Sequence, residues 1–197
     1  MDALKAILTR RSTRNFKRDA VEEEKIRQIL ETARQAPSGG NNQTNHFLVI
    51  RNPEVQRKLT AMAQEAFAGA EITEDTYASL KTAILASKKG GYEFLYNAPV
   101  LIAVANRKDY SNNIADCACA IENMMIAANA LDLGSCWINQ LKWLNEEPGI
   151  LEYLRALGMK ENERIYGAVV LGYPATDSGL PNRNLMPQKG NEITFID

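Results

Sequence analysis

Histidine and cysteine are scarce in this sequence. The 197 residues include one histidine, His46, and three cysteines, Cys117, Cys119 and Cys136. Every Ser–His or Cys–His catalytic arrangement would depend on His46, and no cluster of ligands completes a metal site. A low, odd cysteine count without regular spacing indicates free thiols in a reducing compartment. We therefore expect no catalytic triad, structural metal or disulfide framework, and an ordinary hydrogen bond for His46.

The sequence also lacks a strong net charge and a long apolar run. Its 23 basic and 24 acidic residues leave a formal net charge of −1, too little to attract nucleic acid or an anionic membrane. No apolar run approaches the roughly 18–20 residues that cross a bilayer, and the first ten residues do not resemble a signal peptide. We expect a cytoplasmic protein that binds neither nucleic acid nor membrane.

Nucleotide-binding fingerprints are missing as well. Neither G-x-x-x-x-G-K-[ST] nor a G-x-G-x-x-G after a strand occurs, so a Rossmann dinucleotide site is not expected. The length and the 45% hydrophobic content suit a single domain with a real core, spanning residues 1–197 without repeats or linkers.

Apolar periodicity predicts helices alternating with strands. The predicted helices are residues 2–11, 113–131 and 148–157, with two further helices between the first and the second of these ranges. Asp19 and Glu22 cap one of the two, which Pro37 ends, and Asn52 caps the other, which begins at Pro53. The predicted strands are 46–51, 98–105, 136–138 and 164–174. Residues 70–90 have helical spacing. The lysines and glycines at the end of this region and just after it, Lys88, Lys89, Gly90 and Gly91, are typical of a mobile cover.

The longest predicted helix carries apolar residues at alternating spacings of three and four. They are Ile114, Cys117, Ile121, Met124, Ala128 and Leu131. This spacing predicts a seam against another helix that runs nearly parallel, and Gly134 is expected to stop the helix. The segment Glu192–Ile196 has a strand pattern with no local partner.

Three stretches are candidates for chemistry. "RRSTRNF" (10–16) places three arginines around two hydroxyls, which suits a phosphate monoester, although arginines at a helix end also simply complement its dipole. "APSGGNNQ" (36–43) is either a polar turn or a loop whose glycines and amides approach a planar ligand. "GLPNRNLMPQKG" (179–190) is either a solvated tail or a segment that brings Arg183 to the anion site.

Together these stretches resemble the flavin-dependent nitroreductase family over nearly the whole chain. "RRSTRNF" is similar to its R-x-S-x-R signature and "APSGGNNQ" to its P-S-x-x-N-x-Q loop. "DCACAIENMMIAANALDLGSCWI" is similar to its central helix and following strand, and "GAVVLGYP" to its last strand. The four motifs occur in the family's order.

The resemblance implies an α+β, three-layer α-β-α fold with a mixed, mainly antiparallel sheet. It also implies an intertwined homodimer around the long central helices, in which residues 177–197 form an arm that adds a strand to the partner's sheet. FMN would lie at the dimer interface, NADH or NADPH would be the hydride donor, and residues 70–90 would cover a small-molecule acceptor.

Carried over by position, the resemblance assigns fourteen residues to FMN. Arg10 and Arg183 would hold the phosphate, Ser12 and Arg14 would assist, and Arg11 would contribute backbone. The partner subunit would supply the loop residues Pro37, Ser38, Gly39, Asn41 and Gln43. The stretch after the central helix would lie beside flavin N5 and consists of Trp137, Ile138, Asn139 and Gln140. A backbone N–H of Asn139 or Gln140 would be bonded to N5. Arg183 is followed by Asn184 where many members carry a second basic residue, so Lys189 is a further candidate.

The implied activity is hydride transfer from NAD(P)H through flavin N5 to a nitroaromatic, quinone or similar acceptor by a ping-pong mechanism. No protein nucleophile is needed, because the cofactor carries the chemistry. Three alternatives stay open: an FMN storage or sensor protein without turnover, a reductive dehalogenase or enoate reductase of the same family, and a phosphate-binding protein without flavin.

Overall fold

The computed structural model describes residues 1–187 and 189–196, so Gln188 and Asp197 of the expected arm lie outside the described residues. The helices are α1 (Ala3–Thr9), α2 (Glu23–Arg34), α3 (Pro53–Gly69), α4 (Ala78–Lys89), α5 (Asn113–Ala130), α6 (Gln140–Trp143) and α7 (Pro148–Ala156). The strands are β1 (His46–Ile50), β2 (Val100–Arg107), β3 (Gly134–Ile138) and β4 (Glu163–Gly172).

The strands form one sheet in the order β1-β2-β4-β3, and each neighbouring pair is antiparallel. Successive side chains of β2 enter two different cores, as the two-residue period of a strand requires. Leu101 and Ala103 pack in the core that contains residues of α3, α4 and α7, whereas Val100 and Ile102 pack with residues of α2 and α5. The sheet therefore has helices on both faces, which confirms the predicted α+β fold.

The predicted seam of helix α5 packs for most of its length within its own chain, and the homodimer around this helix stays a prediction. Ile121 and Met124 are fully buried, in a cluster with residues of β2, β4 and α2 of the same chain. Ile114 is 51% exposed and lies outside the buried stripe. A spacing of three and four describes any helix face that packs in a core, and here the sheet and α2 cover it.

The predicted helix ends are correct in one case and wrong in two. The Asn52 side chain accepts the Glu54 N–H at 2.8 Å, and Pro53 opens α3 as expected. The Asp19–Glu22 capping box is absent, since Glu22 itself is the N-cap of α2 and makes no side-chain capping bond. Gly134 is not a helix stop but the first residue of β3, and it is Asp132 that turns the chain, with a φ of 64°.

The region 70–90 contains a packed helix. Within α4, Ala83, Ile84 and Ser87 are buried, so this face is attached to the core rather than free. At the other end of the chain, residues 192–196 form no strand in the structure, and Ile193, Phe195 and Ile196 are 78%, 85% and 93% exposed. Among the described residues, no helix is both long and apolar enough to cross a bilayer.

We expect Ile121→Ala to lower the free energy of unfolding by about 2–5 kcal/mol, because it leaves a cavity between α5 and the sheet. Ile121→Val, which removes one methylene at the same place, should cost only about 0.5–1.5 kcal/mol. Chemical denaturation of both variants measures the difference. Wild-type stability of Ile121→Ala, with a change only in assembly state, would show that the side chain faces a partner after all.

Candidate active site

The arginine-rich segment runs along the outer edge of the sheet. Ser12 forms a parallel bridge with Ser135 of β3, and the Thr13 N–H donates to the Ser135 carbonyl at 2.8 Å. A Cβ on Gly134 would lie 2.7 Å from the Thr13 hydroxyl, so the close approach requires glycine there. Phe16 continues the contact by an antiparallel bridge to Pro174. The segment is therefore held in place by backbone contacts.

A cavity of about 660 Å³ opens beside this segment. Its wall combines the N-terminal segment with the chain after β4 and with the beginning of the C-terminal arm. The lining residues are Arg10, Arg11, Ser12, Thr13, Arg14, Asn15, Pro174, Ala175, Thr176, Asn182 and Met186. Four of the fourteen predicted site residues thus share one cavity.

The wall of this cavity is rich in hydrogen-bond donors. Among the described residues, the only carboxylate within 4 Å of the three guanidinium groups is Glu122, 3.7 Å from Arg10 Nε. Arg11 donates through Nη1 to the Arg10 carbonyl, and its Nη2 is buried without a partner in the described structure. Guanidinium groups with spare donors and neighbouring hydroxyls are the chemistry that binds a phosphate.

The positive charge of this segment also acts on the side chains beneath it. Burial raises the pKa of the Cys136 thiol, while Arg14, a hydrogen bond with Ser12, and Arg10 act in the opposite direction. Burial likewise raises the pKa of Tyr96, and Arg14 partly opposes that shift. The guanidinium groups therefore extend a positive potential to β3.

Arg183 is not in the wall of this cavity. Its Nε donates to Asn129 Oδ1 at 3.1 Å, and its Nη2 donates to the Asn129 carbonyl at 2.5 Å and to Asp132 Oδ1 at 2.6 Å. The Asn129 amide in turn donates to the Thr9 hydroxyl at 3.0 Å. Arg183 thus fastens the C-terminal arm to the end of α5, next to the start of the arginine segment.

The loop after α2 is a compact turn held by its own side chains. The Ser38 hydroxyl accepts the Gln43 N–H at 3.0 Å, and Asn41 Oδ1 accepts from the Gln43 amide at 2.9 Å. Gly40, Asn41 and Gln43 have φ values of 59°, 55° and 50°, a left-handed conformation that side chains other than glycine rarely adopt. Such strain persists where surrounding contacts hold it, often at a functional site.

Two residues that sequence reasoning missed attach this loop to the beginning of α5. The Gly39 N–H donates to Asp116 Oδ1 at 3.1 Å, and the Tyr110 hydroxyl donates to the Gly39 carbonyl at 2.9 Å. Asp116 is 4% exposed, and its Oδ2 has no partner in the described structure. An acidic residue in the first turn of a helix was the available signal, but it ordinarily indicates only a favourable dipole interaction.

The loop and the arginine segment are attached to different parts of α5. The loop binds Asp116, whereas Thr9 and Arg183 bind Asn129. At a rise of 1.5 Å per residue, about 20 Å of helix separates these two anchors. No loop residue lines the arginine cavity. Within one chain, the two predicted parts of the site are therefore apart.

The predicted site residues 137–140 join β3 to α6. Trp137 Nε1 donates to Asn139 Oδ1 at 2.8 Å, and the Gln140 amide donates to the Tyr92 hydroxyl at 2.7 Å. Ile138 is buried in the core. Gln140 opens α6, and the first N–H groups of a helix have no acceptor within it. The backbone N–H groups of this corner are therefore candidate donors to a ligand.

His46 forms a hydrogen bond, as expected, and the structure also shows the surroundings of the cysteines. His46 Nδ1 lies 2.8 Å from the buried carboxylate of Glu163, which also accepts the Lys160 N–H at 2.9 Å. All three cysteines are free thiols. Burial, reinforced by the neighbouring Asp116 carboxylate, raises the pKa of Cys117 to about 12. Within the described parts of the chain, no group of three or more His, Cys, Asp and Glu side chains could hold a metal.

Sequence and structure comparisons relate the chain to known proteins. The chain matches the model of the nitroreductase family over residues 7–173. A protein of Archaeoglobus fulgidus, whose name pairs NADH dehydrogenase with NAD(P)H nitroreductase, is 31% identical over 88% of this chain and 86% of its own. A nitroreductase from Bacteroides fragilis, crystallised with FMN, is 34% identical over the full length of both chains, with a TM-score of 0.83. A second FMN-bound nitroreductase, from Desulfitobacterium hafniense, is 26% identical over both full chains, with a TM-score of 0.80.

We expect Gly39→Ala to disrupt the loop. The added Cβ would lie 2.0 Å from Asn112 Nδ2 and 2.6 Å from the Tyr110 hydroxyl, so the bonds to Asp116 and Tyr110 must lengthen or break. A loss of roughly 1–3 kcal/mol is expected in thermal unfolding. Gly69→Ala, where a Cβ meets nothing within 4 Å, is the matched control and should be neutral or slightly stabilising. Equal stability of the two variants would contradict the docking geometry.

Proposed function

The chain belongs to the nitroreductase family, and from that premise we propose that it is an FMN-dependent oxidoreductase that uses NAD(P)H. The observation that carries the proposal is the cavity beside residues 10–14, whose lining includes three arginines and two hydroxyl-bearing residues. When bound, FMN supplies a ring that takes a hydride from NADH or NADPH and, in a ping-pong cycle, gives it to a nitroaromatic, a quinone or a similar acceptor.

The residues of the cavity fit the FMN phosphate. Arg10, Arg11 and Arg14 provide forked donors, and Ser12 provides a hydroxyl that can turn either way. When Arg10 turns to a phosphate, it loses only a weak, half-exposed ion pair with Glu122. Arg183 joins the phosphate if it exchanges its bonds to Asn129 and Asp132, and otherwise it closes the cavity by holding the arm in place.

A second copy of the chain would bring the loop to this cavity. Because about 20 Å of α5 separates the loop anchor from the arginine anchor, the loop of one chain covers the cavity of another more readily than its own. Leu4, Ile7 and Leu8 of α1 are 73%, 50% and 63% exposed. Large apolar side chains of the arm are exposed as well, namely Leu180, Leu185, Met186, Ile193, Phe195 and Ile196. Apolar surface of this extent is typical of an interface. We infer a homodimer in which Pro37, Ser38, Gly39, Asn41 and Gln43 face the partner's flavin and residues 177–197 reach the partner's sheet.

The corner between β3 and α6 would hold the reactive edge of the ring. A backbone N–H of Asn139 or Gln140 is the proposed donor to flavin N5. Trp137 and Ile138 fix this corner from the sheet side, and the Tyr92–Gln140 bond fixes it from the side of α4. The positive potential from Arg14 would stabilise the ring after it gains charge. Residues 70–90 then form the cover over the acceptor.

The first test is the visible absorption spectrum of the purified protein, before and after anaerobic addition of NADH and then NADPH. We expect flavin bands near ~375 and ~450 nm that bleach with at least one donor, because a hydride reaches the bound ring. Bands that persist with both donors would favour a storage or sensor protein. No bands after added FMN would contradict the proposal. Light scattering of the same sample should give about twice the 21.9 kDa of one chain, and a mass of one chain would contradict the shared site.

Replacing both Arg10 and Arg183 with alanine should strip FMN from the protein and leave the fold largely intact. A lost charge-assisted hydrogen bond costs about 1.5–3 kcal/mol, so the double variant should bind FMN at least about a hundredfold more weakly. Flavin content and a thermal melt are measured together. Arg27→Ala, which removes an exposed charge of α2 outside the predicted site residues, is the control. Normal flavin content in the double variant would refute the phosphate clamp.

A further inference from the structure

A second, larger cavity of about 760 Å³ begins at Arg18 in the chain. It is bordered by the segment before α2, the end of β1, the first two turns of α3 and the approach to β2. It shares no lining residue with the arginine cavity of residues 10–14. None of the fourteen predicted FMN residues borders it, so the proposed flavin site does not account for it.

Three arginines from three separate parts of the chain surround this cavity: Arg18, Arg51 and Arg57. The acidic neighbours of two of them are distant, since Arg51 lies 3.7 Å from Glu23 and Arg57 lies 3.9 Å from Glu54. Exposed ion pairs of that length contribute little and exchange easily. Arg18 has no carboxylate within 4.0 Å in the described structure and donates to Asn97 Oδ1 at 3.2 Å. Among the lining residues themselves, three arginines stand against one carboxylate, that of Glu93, while Glu23 and Glu54 lie outside the wall.

The amide side chains of the wall add to the surplus of donors. Asn97 Oδ1 is occupied by Arg18, and Asn52 Oδ1 is occupied by the Glu54 N–H at 2.8 Å, so each presents mainly its NH₂ group. The one carboxylate in the wall, Glu93, accepts the Leu95 N–H at 2.6 Å. The beginning of α3 contributes the positive end of its dipole. A ligand that satisfies this wall must carry several acceptor oxygens and negative charge.

The remaining wall suits the body of such a ligand. Val21, Leu95 and Pro99 provide an apolar surface next to the donors. The Gln56 amide is fixed by donation to the carbonyls of Ile50 at 3.1 Å and Pro99 at 3.3 Å, which leaves its Oε1 as an oriented acceptor. The volume falls in the range of about 300–1,000 Å³ that small-molecule sites occupy.

We propose that this cavity binds an organic phosphate of about the size of a mononucleotide, independently of the flavin. The phosphate lies among Arg18, Arg51 and Arg57, where forked guanidinium donors match its oxygens better than a single point charge would. The apolar surface takes the organic part. The site is a binding site, and no bond is formed or broken there.

The test is titration calorimetry of the protein saturated with FMN, which fills the other arginine cavity. The probes are AMP, adenosine, citrate and inorganic phosphate. We expect saturable binding of one AMP per chain, with adenosine at least about tenfold weaker because it lacks the charged group. Equal binding of adenosine and AMP, citrate binding as tightly as AMP, or no saturable binding of AMP would each overturn the proposal.

Variants then locate the bound AMP. Arg18→Ala combined with Arg57→Ala should weaken AMP about tenfold or more, and the fold should survive because both side chains are exposed. Arg34→Ala removes one exposed charge elsewhere and should change binding less than about twofold. Arg10→Ala should leave AMP binding unchanged even if it lowers flavin content, which separates this site from the proposed flavin site. AMP binding that depends on Arg10 and not on Arg18 and Arg57 would overturn the assignment.

Discussion

The burial of α5 between the sheet and α2 is the constraint on which the rest of the structure depends. Its inward side chains, Ile121 and Met124 among them, fill the core of one face of the sheet. A helix packed this tightly cannot rotate or slide without opening a cavity. Its two ends therefore become fixed points on the surface, and each end holds a different part of the candidate site.

Hydrogen bonds between α5 and the neighbouring segments fix the positions of the predicted site residues. Near its beginning, Asp116 holds the Gly39 loop, and near its end, Asn129 holds Thr9 and Arg183. Buried or half-buried bonds of this kind cost more to break than surface contacts, because a partner is left unsatisfied. The arginine segment gains further support from its bridge to β3. Flavin binding, as proposed, would thus use a surface that is already in place rather than one that folds around the ligand.

The separation of the two anchors also explains why one chain is insufficient for the proposed site. The arginine cavity and the loop belong to different parts of α5, and the apolar residues of α1 and the arm remain exposed around them. Exposure on this scale is costly for an isolated chain. A second copy would cover it and, in the same step, supply the loop. In this arrangement, assembly and cofactor binding would depend on each other.

Much of the fold could be predicted from local patterns. Asn52-Pro53 marks the start of α3 because a cap and a fixed φ act within two residues. Short continuous apolar runs identify β2 and β4. The Asp19–Glu22 box failed because a capping pair must coincide with the actual helix start, which packing determined to be Glu23. The prediction for Gly134 failed because glycine has a second use besides ending a helix. Without a side chain, Gly134 lets the backbone of β3 lie close to Thr13.

The sequence by itself determined most of the helices and strands and the local concentration of arginines at residues 10–14, since these follow from residue types and short spacings. Only the tertiary structure decided what covers the apolar face of α5, that Asp116 and Tyr110 hold Gly39, and that Arg18 lines a second cavity with Arg51 and Arg57. The two contacts of Gly39 join residues 71 and 77 positions apart, and Arg18 is 33 positions from Arg51. No local periodicity records which distant side chains become neighbours.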